Sequence, residues 1–163
     1  MGNRITNHNV NTESVKLSNG ATSVLMSVLA LSASDKAATD WEKQFASWIA
    51  LRDQSVLGLG IVGFDISDFG WSTKEFDTQK AFVLSAIDLA LQHHRWEVLS
   101  YKPAEFMDDV IRQFRELIAA FGAQHIVPER DGQWKFDDFI SSEMCPVHGV
   151  YKHLGGCLLC NDG

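Results

Sequence analysis

Apolar residues along this chain recur mostly at helical spacing. After Asn19-Gly20, the residues Val24, Leu25, Val28, Leu29 and Leu31 fit a short helix that is apolar around most of its circumference, and such a helix is buried on several sides. Ser34 or Asp35 can cap a second helix, "KAATDWEKQFASWIALRDQ", because an oxygen side chain there accepts from first-turn amides that have no partner within the helix. Its stripe is Trp41, Phe45, Trp48, Ile49 and Leu51, with spacings of three and four that share a face. A third helix is predicted from Thr73 to His93, carrying Phe76, Phe82, Ile87 and Leu91. "RWEVLSYKP" reads as a strand or loop that stops at Pro103. The strongest periodicity lies in "AEFMDDVIRQFRELIAAFG", where Phe106, Met107, Val110, Ile111, Phe114, Leu117, Ile118 and Phe121 form one stripe and Gly122 is placed to end the helix.

These elements predict a mainly α fold, a compact helical bundle with a short C-terminal tail of different build. Residues 1–18 are polar and without periodicity, a flexible or edge segment. Residues 19–127 form the helical core, and residues 128–163 a tail packed on it. A chain of 163 residues is about the size of one domain and can bury a core of its own. The longest apolar stretch, "SVLMSVLALSAS" at 23–34, is broken by serines and too short to span a bilayer. It also lacks the basic flank and cleavage site of a secretory signal. The expectation is a cytoplasmic protein with no membrane partner.

Charge narrows the partners. The chain carries 14 Lys+Arg against 21 Asp+Glu, a net charge of -7. A negative field repels phosphate backbones, and the Lys and Arg residues are scattered singly. Nucleic acid is therefore not expected as a ligand, whereas a basic protein partner is.

All three cysteines fall in "CPVHGVYKHLGGCLLC", residues 145–160. An odd number clustered at one end suits a reducing compartment better than a disulfide framework. Cys145 and His148 are separated by two residues, as are Cys157 and Cys160, with eight residues between the pairs. Two residues between ligands let one tight turn aim both side chains at a point. Zinc takes four such donors in a tetrahedron, and thiolate with imidazole suits it. His153 is an alternative to His148 as the nitrogen donor, and a chance grouping of the four residues is the remaining alternative.

The stretch resembles the paired knuckles of zinc-ribbon and rubredoxin-like tails, "CPVHG" matching their Cys-Pro-x-Cys-Gly knuckle with histidine in place of the second cysteine. The resemblance covers residues 145–160 only. It implies Cys145, His148, Cys157 and Cys160 as ligands of a structural zinc ion, with Gly149 permitting the sharp turn. The eight-residue connector is short for a three-stranded ribbon.

A second stretch, "GLGIVGFDISDFGW" at 58–71, contains Gly58, Gly60 and Gly63 in the G-x-G-x-x-G spacing of dinucleotide sites. That spacing carries meaning only between a strand and a helix N-terminus, and no such unit is visible, so a connector passing close to packed helices is the expectation. Asp53, Asp65 and Trp71 are the candidates if the segment instead lines a site. His93-His94 could supply a general base, but a pair at a helix end is better read as interacting with the C-terminal dipole. Asp108-Asp109 and Asp137-Asp138 are adjacent and diverge on a helix.

The leading functional reading is a non-catalytic protein-binding protein with a structural zinc site. In size and acidity the chain is similar to the small bacterial immunity proteins that mask basic toxins. That likeness implies an antitoxin-type role, with Asp65, Asp68 and Trp71 as partner-binding residues. A small enzyme using the 53–71 segment is the alternative, and a zinc-ribbon nucleic-acid factor the third.

Overall fold

The computed structural model describes residues 3–10, 12–52, 63–135, 140–153 and 155–161. Helix α1, Asn19–Lys36, is longer than its sequence pattern predicts. Ser18 caps it, its Oγ accepting from the Ala21 amide at 3.1 Å. The helix runs on through Ser34 and Asp35, so neither caps the next one. Leu25, Val28, Leu29 and Leu31 are fully buried, and α1 packs against α2, α3 and α4, so apolar contact along its length outweighs a local stop signal. Helix α2, Asp40–Leu51, is instead capped by Thr39, whose Oγ1 accepts from the Glu42 amide while the Glu42 carboxylate accepts from the Thr39 amide. This is a reciprocal capping box. Helix α3 spans Phe76–Leu91 and α4 spans Met107–Ala120. Gly122 does not adopt the left-handed form expected of it, and Phe121 leads out of α4 in extended backbone. "RWEVLSYKP" forms a short 3-10 turn at Trp96–Val98 rather than a strand.

The protein is mainly helical, but it is not a bundle alone. Strands β1, Asn3–Thr6, and β2, Val15–Leu17, pair antiparallel, and β1 also pairs in parallel with β3, Gly63–Asp65. The N-terminal segment expected to be flexible or at an edge is thus the central strand of a three-stranded sheet. Its signal is a two-residue alternation too short to stand out: Ile5, Val15 and Leu17 are buried, while Arg4 and Lys16 face solvent across from one another. Gly63 has φ +92, and a side chain there would collide with the Arg4 carbonyl. Its glycine therefore serves strand pairing.

Aromatic rings fill the core. Trp41 lies 5.5 Å from Trp71 and 5.1 Å from Trp134, and Phe45 meets Phe69 edge-on at 5.2 Å. The indole N–H groups of Trp41, Trp48 and Trp71 donate to the carbonyls of Gly70, Lys135 and Ile66 at 2.7–2.8 Å. Each ring is thereby buried with its polar atom satisfied.

The last elements are a hairpin of β4, Ile140–Met144, and β5, Tyr151–His153, followed by the short helix α5, Leu158–Asn161. One hydroxyl ties both strands to α2: Ser47 Oγ donates to the Lys152 carbonyl at 2.8 Å and accepts from the Ser141 amide at 2.9 Å. Ser34 Oγ accepts from the Tyr151 amide at 3.0 Å. Buried serines that looked like interruptions of apolar helices are thus the docking points for the tail. Among the described residues no helix is long and apolar enough to cross a membrane.

Candidate metal centre

Two tight turns build the site. In the first, the Cys145 amide donates to the Val150 carbonyl at 2.8 Å and the Gly149 amide to the Cys145 carbonyl at 2.9 Å, folding His148 back over Cys145. Gly149 sits at φ +64, a conformation that glycine reaches without a Cβ penalty, as the knuckle pattern implies. The second turn begins beyond a reversal at Gly156, φ +104, where His153 and Gly156 exchange backbone hydrogen bonds at 3.2 and 2.9 Å. Cys157 then precedes α5 and Cys160 lies within it, the Cys160 amide donating to Cys157 Sγ at 3.5 Å.

The four donor atoms of Cys145, His148, Cys157 and Cys160 all lie within 4.8 Å of one another. His148 Nδ1 is 3.7, 3.6 and 3.3 Å from the sulfurs of Cys145, Cys157 and Cys160, and Cys145 Sγ is 3.8 Å from Cys160 Sγ. With metal bonds of about 2.3 Å to sulfur and about 2.0 Å to nitrogen, a tetrahedron has edges of about 3.8 Å between sulfurs and about 3.5 Å from sulfur to nitrogen. The observed separations are close to those edges. Neutral imidazole with three thiols is a donor set for a thiophilic ion, and the geometry can hold one.

Two of the thiols are held at opposite ends of the thiol range. Hydrogen bonding from the His148 amide, aided by that of Val147, favours the Cys145 thiolate and brings its pKa down to about 6. Burial pushes the Cys157 thiol up to about 11. A buried thiol of this kind gives up its proton when a cation replaces it.

The bundle grips the first turn through Arg95. Its guanidinium donates to the carbonyls of His148 and Gly149 and pairs with Asp35 at the end of α1 at 3.2 Å. Arg95 reaches this place from the loop after α3, where both His93 and Arg95 adopt positive φ. Asp35 also meets His94 Nε2 at 2.6 Å, while His93 contacts Asp108 at 2.8 Å and stacks on Trp96 at 3.7 Å. The histidine pair thus contributes ion-pair and stacking contacts around this loop.

No protein-family model, curated protein or solved structure matches the chain.

The remaining predicted residues do not join the cluster. His153 is buried, and its Nδ1 accepts from the Gly155 amide at 2.9 Å; His148, not His153, stands among the three sulfurs. Trp71 is 1% exposed and Asp68 3%, which corrects their reading as surface contacts for a partner. Trp71 belongs to the aromatic core, and Asp68 turns inward to accept from the Asp65 amide at 3.0 Å, with Arg130 and Lys135 at 3.6 and 3.7 Å. Arg52 is also buried, 4.8 Å above the Trp48 ring. Burial lowers its pKa to about 10, against the opposing pull of Asp68. Asp65 is half-buried and its carboxylate accepts from Thr6 Oγ1, the His8 amide, and the amide and hydroxyl of Ser67. Asp53, Gly58 and Gly60 lie outside the described residues, as do Asp137 and Asp138.

Sequence reasoning missed Arg95, Ser47 and Ser34 as supports of the metal centre. They lie roughly 50 to 120 residues away along the chain, and no local spacing announces them. The Thr39 cap, by contrast, was written in "TDWE", a T-x-x-E signature.

Proposed function

We propose that this protein is a non-catalytic protein-binding protein whose C-terminal hairpin is locked to the helical core by a structural zinc ion. The observation that carries the reading is the four-donor set: Cys145, His148, Cys157 and Cys160 complete a tetrahedron, and a full set of protein ligands leaves no position for water or substrate on the metal. A bound ion would supply charge neutralisation for three thiolates and cross-link the two turns. The chain's own residues do the rest: Arg95 fixes the first turn, and Ser47 and Ser34 seat the hairpin on α2 and α1.

The partner is proposed to be a basic protein, an immunity or antitoxin relationship being the form that acidity and size favour. Support comes from the net charge of -7 and from exposed Glu75, Asp77 and Asp131 at the start of α3, where the Asp131 carboxylate accepts from the Thr73 amide and hydroxyl. This surface replaces the buried Asp68 and Trp71 as the contact region.

Elemental analysis of protein purified without chelator tests the metal, with about one zinc per chain expected. Affinity capture from the native host with mass-spectrometric identification tests the partner. A protein free of zinc, iron and other thiophilic metals would refute the first half. A captured partner with an acidic contact surface would refute the second.

A further inference from the structure

We infer that Cys160 is a site of oxidative modification by hydroperoxides, with Cys145 as the thiol that resolves it into a disulfide. The inference rests on the metal reading above and adds a chemistry to it. The three sulfurs are not equivalent toward solvent. Cys145 and Cys157 are 4% and 3% exposed, whereas Cys160 is exposed, so a small oxidant in solution meets one sulfur of the cluster. Oxidation of sulfur follows thiolate character and access together, and a metal ligand is held as thiolate.

The second requirement is a partner thiol in reach. Cys145 Sγ lies 3.8 Å from Cys160 Sγ, and the two come from different turns of the site. Cys160 thiolate attacks the peroxide O–O bond, forming a sulfenic acid and releasing hydroxide, or alkoxide from an organic peroxide. Cys145 thiolate then attacks that sulfur, the S–S bond forms, and a second hydroxide leaves. With two protons from solvent, two thiolates and one hydrogen peroxide give one disulfide and two waters, the two electrons passing from sulfur to oxygen. Only Cys157 and His148 then remain as donors, a set too small to retain the ion. The cross-link between the two turns persists in covalent form while the metal is lost.

The experiment treats zinc-loaded full-length protein with increasing hydrogen peroxide, following released zinc with a chromogenic chelator and the thiols by peptide mapping. Zinc content is measured before oxidant. The expected result is loss of most of the zinc within the first equivalents of peroxide, an intact mass lighter by two hydrogens, a Cys145–Cys160 linked peptide, and reversal by a dithiol with added zinc. Cys160→His keeps a fourth donor and is expected to hold zinc at least several-fold longer in peroxide. If that variant loads no metal, the wild-type peptide map still decides. Retained zinc, a link through Cys157, or a sulfinic acid at Cys160 without a disulfide would each overturn the inference. A protein with no metal before oxidant fails the metal reading instead, and its thiols are mapped in the same way: a Cys145–Cys160 link upholds the pair, and any other product sinks it.

Discussion

At the scale of single residues, burial decides which of the chain's conspicuous side chains are structural. Trp71 is 1% exposed, contacts Phe76 and Phe121, and donates to the Ile66 carbonyl. Trp71→Ala removes a large core ring, and about 3–5 kcal/mol of stability is expected to go with it, measured by urea denaturation. A change below about 0.5 kcal/mol, typical of exposed positions, would contradict its place in the core. Asp65 predicts a pH effect. Burial alone raises its pKa, but the hydrogen bonds from His8, Ser67 and Thr6 together outweigh that and hold it below the ordinary 3.8. A carboxyl depressed on folding stabilises the protein above its unfolded value, and that contribution is lost as pH falls through the folded one. Asp65→Asn is therefore expected to be less stable than wild type at neutral pH. The gap should narrow in acid, below the ordinary carboxylate range. A gap of constant size across the titration would count against the carboxylate's role.

At the scale of elements, the C-terminal hairpin depends on two independent attachments. Ser47 satisfies the Ser141 amide and the Lys152 carbonyl with one hydroxyl. Ser47→Ala leaves both without that partner, at a cost of about 1–3 kcal/mol, and limited proteolysis is expected to cut first within the tail. The metal is the other attachment. Chelation should release residues 145–160 while α1 to α4 persist, because the buried stripes of those helices meet one another and the sheet. Circular dichroism would then retain most of its helical signal as the tail becomes protease-sensitive. Complete loss of helix on chelation would show that the core does not stand alone.

At the scale of the whole molecule, net charge is the property that a partner senses first. Attraction between an acidic surface and a basic protein raises the association rate and weakens as salt shortens the Debye length. Binding of the captured partner is expected to slow roughly tenfold or more between about 0.05 and 0.5 M salt. Glu75→Lys with Asp77→Lys should slow association with little effect on dissociation, read by surface plasmon resonance. Kinetics that ignore both salt and these substitutions would remove the electrostatic basis for the partner.

The metal ligands were legible in the sequence because knuckle chemistry is local: two residues between ligands and a glycine after the second specify the turn whatever surrounds it. The stripe of α4 was legible for the same reason, since a period of 3.6 depends on one helix. The length of α1 was not, because Ser34 and Asp35 carry a cap signal that contacts with other elements override. The sheet was not, because three strands of three or four residues give too short an alternation, and β1 finds β3 some 60 positions later in sequence. Whether Asp68 and Trp71 face water was likewise settled by packing. Composition shows that a carboxylate or an indole is present; only the assembled neighbours determine whether it meets a partner protein or the protein's own core.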